Sequence, residues 1–117
     1  MRYAMLICGA EGEPDAANPE AAEEAMKEIY AWFEKWGQTG KIANAGAELD
    51  SVRTAKTIRP GADGAPVITD GPYVELKEVV GGVVFLEADS IDEAVAIASG
   101  WPLHGSSSIE VRPVIEH

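Results

Sequence analysis

The densest concentration of chemistry-bearing side chains lies in "TDGPYVELKEVVGG", which runs from Thr69 to Gly82. It carries three carboxylates (Asp70, Glu75 and Glu78), one ammonium (Lys77) and one phenol (Tyr73). An Asp70 held by its turn at the edge of a cleft, beside Tyr73, could accept a proton or orient a group that does. If the following residues are extended, Glu75 and Lys77 share one face and Glu78 takes the other. If they form a helical turn, Glu75 and Glu78 stand together, and two close carboxylates push one pKa upward, as acid catalysis needs. Lys77 would order an anionic ligand. Outside this stretch, His104 in "WPLHGSSS" is the internal side chain whose ordinary pKa lies near neutrality, and pairing it with Asp70 or Glu78 would make a proton shuttle. Tyr3 and Phe85, from two apolar strands, would floor such a cleft. The expected catalytic set is Asp70, Glu78 and His104, and the expected ligand-binding set is Tyr3, Tyr73, Glu75, Lys77 and Phe85.

Each of these residues also has a plainer reading. Asp70-Gly71-Pro72 meets the backbone demands of a turn without any chemistry. Glu75, Lys77 and Glu78 suit a solvated flank of a strand, and a single histidine in a loop suits polar surface. Glu110 and Arg112 alternate onto one face of the last strand, where charges on a neighbouring strand would pair with them.

Composition excludes several function classes. Twenty acids against nine bases give a net charge of −11, the opposite of a nucleic-acid-binding surface. No apolar run reaches the roughly 18–20 residues of a membrane span. The start, "MRYAMLICGAEGEPD", reads as a strand rather than a signal peptide. The single cysteine, Cys8, permits no internal disulfide, which fits a reducing cytoplasm, and it reads as a small buried hydrophobe. No Cys/His cluster has zinc spacing and no Gly-rich loop has phosphate-loop spacing, so neither a metal nor a cofactor is expected.

The elements that must position these residues follow from periodicity. Arg2–Cys8 is a short apolar strand, and the Gly/Pro-rich loop after it leads to Asn18 as N-cap and Pro19 at the first helical position. Ala22, Ala25, Met26, Ile29, Phe33 and Trp36 then make one helical face over Glu20–Trp36, with Trp32 widening it to serve as core or as lining. Gly37 or Gly40 is the left-handed cap. Lys41–Leu49 is a weak strand rich in small residues. Ser51–Arg59 alternates and reads as an exposed or edge strand, with Val67–Thr69 as its hairpin partner. Val79–Ala88 is the strongest strand. Ser90 and Glu93 match a capping box for a helix that Gly100 and Pro102 stop, and Ser107–Ile115 is the last strand.

Without the Val52–Thr69 hairpin the order is strand, helix, strand, strand, helix, strand, the split βαβ arrangement of α+β ferredoxin-like folds. The chain reads as a single domain over residues 1–117. Val83 and Phe85 on one side of the strongest strand, and Val84 and Leu86 on the other, require cover on both sheet faces. Helices cover one face, and a second copy of the sheet in a homodimer is the economical cover for the other.

Taken together, "TDGPY", "ELKE", "GG", the acidic helix start and "GSSSIEVRPVIE" resemble the DGPF branch of the YCII-related proteins over essentially the whole chain. The resemblance implies a dimeric α+β barrel of two face-to-face sheets. It also implies kinship with small-molecule isomerases and lyases that use a His–Asp pair. Their histidine stands at the end of the first strand, where this chain has Cys8 and Gly9. The expectation is a small-molecule-binding protein or a cofactor-independent acid/base enzyme. The alternative is a non-catalytic regulatory or interaction module linked to transcription or stress response.

Overall fold

A computed structural model describes residues 1–10, 19–71 and 78–117. Four strands form one antiparallel sheet: β1 (Arg2–Gly9), β2 (Ile42–Glu48), β5 (Val79–Glu87) and β6 (Ser108–Pro113), in the spatial order β2-β5-β1-β6. Helices α1 (Pro19–Gly37) and α2 (Ile91–Ala98) follow β1 and β5. This is the α+β ferredoxin-like arrangement expected from the order of elements.

Register decides which side chains reach the helices. Tyr3 pairs with Leu86 and Met5 with Val84, and Val111 lies opposite Met5. These side chains share the face on which Trp32 of α1 and Ala94, Ile97 and Ala98 of α2 pack. Met5 and Leu86 are fully buried there, and Trp32 donates its indole N–H to the Ile97 carbonyl at 2.9 Å, which satisfies a polar group that burial would otherwise leave unpaired. The residues one position away, Ala4 with Phe85 and Leu6 with Val83, point to the other face and stand outside that core. Glu110 and Arg112 flank them on the same face through their pairing with Leu6 and Ala4.

The helix ends have local causes. Ser90 accepts from the Glu93 backbone N–H at 3.1 Å as the N-cap of α2. Glu93 completes a variant of the capping box by accepting from the Asp89 N–H at 3.1 Å, one residue earlier than the usual reciprocal bond, and from Lys41 Nζ at 2.8 Å. After α1, Thr39 returns to the Trp36 carbonyl and Gly40 turns the chain at φ 78°. Pro19 opens α1 as expected, while the N-cap expected at Asn18 lies outside the described residues.

The hairpin is shorter than its sequence pattern suggests. Ser51 accepts from the Arg53 N–H at 3.1 Å, and this local bond wraps Val52–Thr54 into a 3-10 turn instead of extending the alternating strand. The strands proper are β3 (Lys56–Pro60) and β4 (Pro66–Asp70), which make a separate two-stranded sheet. It stands clear of the main body: Ile58 and its partner Ile68 are 67% and 63% exposed. The radius of gyration is correspondingly large, 16.5 Å, against about 13 Å for a compact chain of this length.

Candidate functional site

A cleft of about 520 Å³ opens between α1 and the β2–β5–β1 part of the sheet. Its existence follows from residue size. On the helix-facing side of β5, Leu86 and Val84 give way to Gly82, and β2 faces them with Ala45, Gly46 and Ala47. The large side chains that fill the α2 end of the core have no counterparts here. Met26, Ile29 and Phe33 from α1 roof the space, and Ile7 stands on its floor.

Gly46 shapes the floor through its backbone. It sits at φ 71°, its N–H bonds to Asn44 Oδ1 at 2.7 Å, and a Cβ there would lie 1.7 Å from the Val83 carbonyl oxygen. Only glycine allows β2 to approach β5 so closely, and the β2–β5 register is irregular around it. At the other end of the cleft an edge-to-face aromatic cluster forms a partition. Trp32 lies 5.1 Å from Phe33 and 5.2 Å from Trp101, and Phe33 and Trp101 are 5.7 Å apart. Trp32 belongs to the buried core, whereas Phe33 and Trp101 also form cleft wall.

The cleft is poor in polar chemistry. Among its described lining residues Glu48 alone carries a formal charge, and the phenol of Tyr30, the thiol of Cys8 and the indole N–H of Trp101 are its other polar groups on side chains. Burial pushes the Cys8 thiol up from its ordinary value, and the carboxylates of Glu110 and Glu78 push the same way, which disfavours the nucleophilic thiolate. Among the described residues no three His, Cys, Asp or Glu side chains converge as a metal site would require.

The residues singled out from the sequence are dispersed around this cleft. Asp70 ends β4, 87% exposed, in an ion pair with Lys56. His104 is half-exposed, with Nε2 3.7 Å from Glu28 of α1. Glu78 is exposed just before β5. The structure thus partners Asp70 and His104 with Lys56 and Glu28 rather than with each other. Tyr3 is buried at the α2 end and Phe85 points to the opposite sheet face, so the two cannot floor one cleft. Tyr73, Glu75 and Lys77 lie outside the described residues. Glu110 and Arg112 approach each other at 3.9 Å. The lining residues Met26, Ile29, Phe33, Trp101, Gly46, Gly82 and Glu48 were absent from the sequence-based set. Their signal was a run of small residues, "NAGA", with a Gly pair elsewhere to face it.

The family model of the YCII-related domain matches residues 1–117. The chain belongs to the YCII-related family. This YCII-related chain is also similar to "Uncharacterized protein R00369" of Rhizobium meliloti (strain 1021), 33% identical over 116 residues that cover 97% of this chain and 92% of the relative. Among the described residues of this family member, no helix is long and apolar enough to cross a membrane.

Proposed function

We propose that this YCII-related protein binds a small, largely apolar molecule in the cleft between α1 and the sheet, and that it works as a homodimer. The observation that carries the reading is the cleft itself: about 520 Å³ with apolar walls from Ile7, Met26, Ile29, Phe33 and Trp101, a size and lining that suit small-molecule sites. Binding is favoured over acid/base catalysis because Asp70, Glu78 and His104 are not among the residues that line it, and two of them are engaged with other charged side chains. The dimer reading rests on Leu6, Val83 and Phe85, which point to the sheet face that neither helix covers. The single cysteine and the bacterial relative favour a bacterial cytoplasm.

The test uses the neutral fluorophore N-phenylnaphthylamine. The expected result is saturable emission enhancement with the wild type and its loss in Ile29→Trp, which fills the cleft from α1. Absence of enhancement in the wild type, or equal binding by a folded Ile29→Trp, contradicts the reading. Sedimentation at micromolar concentration checks the dimer, and a monomer there would refute it.

A further inference from the structure

Building on the cleft as a small-molecule site, we infer that its ligand is an organic cation: an aromatic or alkyl body carrying an ammonium or similar positive group. Among its described lining residues the cleft offers a cation two attractions. The first is Glu48, the one formally charged residue among the described lining residues, at the end of β2 beside Gly82. The second is aromatic surface. Tyr30, Phe33 and Trp101 all contribute to the wall, and the ring planes of Phe33 and Trp101 stand nearly perpendicular, at 82°. Ring faces carry the negative lobe of the aromatic quadrupole and attract a desolvated cation. Tyr30 is 64% exposed and extends this surface toward solvent.

The surroundings reinforce the same sign. The chain carries a net charge of −11, which raises the local concentration of cations and lowers that of anions at any opening on its surface. An anionic ligand would enter against all of these groups with no described lining cation to receive it. A neutral ligand without a hydrogen-bond donor would leave Glu48 unused.

The experiment displaces bound N-phenylnaphthylamine from the full chain with two similarly shaped competitors, benzyltrimethylammonium and phenylmethanesulfonate. The cation is expected to compete at about tenfold lower concentration than the anion. Glu48→Gln should remove most of that difference, and Tyr30→Leu part of it, with the fold of each variant checked by circular dichroism. Because exposed charges are screened, raising salt toward about 1 M should narrow the wild-type preference without any mutation. Equal or better competition by the sulfonate overturns the inference and leaves the apolar cleft standing. So does a preference that survives both Glu48→Gln and high salt. Failure of the neutral fluorophore to bind overturns the cleft reading and this inference together.

Discussion

The two ends of the helix-covered sheet face share β1, β5 and α1, yet one is solid and the other hollow. At the α2 end, Tyr3, Met5, Val84 and Leu86 meet Trp32 and Ile97 and exclude solvent. At the other end, Gly82 and the small residues of β2 meet Met26, Ile29 and Phe33 across an open cleft. Side-chain volume differs between them, and at the open end the backbone does too, with Gly46 at φ 71° and an irregular β2–β5 register. One end therefore supplies stability, and the other is free to take a ligand.

The largest expected effect would sharpen this contrast. Leu86→Ala should cost about 2–5 kcal/mol in urea unfolding, because it opens a cavity in a sealed site, whereas Ile29→Ala should cost under about 2 kcal/mol because the space beside it is already open. Equal losses would break the comparison. Gly46→Ala comes next. Its left-handed backbone alone should cost about 1–3 kcal/mol, and relief of the overlap with the Val83 oxygen must push β2 away from β5. Fluorophore binding should fall with it. Wild-type-like melting and binding in that variant would show that the close approach of β2 does not shape the cleft.

Much of this was legible in the sequence. The Ser90 cap, the Pro19 start and the order of elements are local signals, and they led to the observed sheet. The double-sided apolar pattern of β5 separated Val84 and Leu86 from Val83 and Phe85 correctly. What the sequence could not supply was register. Tyr3 and Phe85 look equivalent as aromatic strand residues, but Tyr3 pairs with Leu86, so Phe85 is one position out of step and faces the other way. Ser51–Thr54 matched a strand by alternation, and a side-chain bond from Ser51 overrode it. The cleft was hard to read because absence of side chains makes it: charged residues attract attention, and glycines that leave room do not.

Smaller effects probe the sealed end. Ser90→Ala should lower stability by about 1 kcal/mol through loss of the α2 cap, measured by thermal or urea unfolding. The smallest expected effect is pH-dependent. The Lys41 ammonium, hydrogen-bonded to Glu93, holds that carboxyl below its usual 4.5, helped by the Asp89 N–H. The stabilisation this bond gives is present above that usual value and is lost as pH falls through the lower folded-state pKa. The same bond to Glu93 raises Lys41 above 10.5, so its contribution is present below that value and lost as pH rises through the raised one. Both groups are partly exposed, so the effect should be slight and salt-sensitive. Glu93→Gln should flatten the acid edge of a melting-temperature profile, and an unchanged profile would deny the pair any role.

The most direct test follows methyl resonances during titration with N-phenylnaphthylamine, using isotope-labelled Ile, Met, Leu and Val side chains. The account predicts that the methyls of Ile7, Met26 and Ile29 shift together and saturate together, while those of Met5, Leu86 and Ile97 stay in place. Shifts confined to Leu6 and Val83 on the other sheet face, or no saturable shift at all, would contradict it.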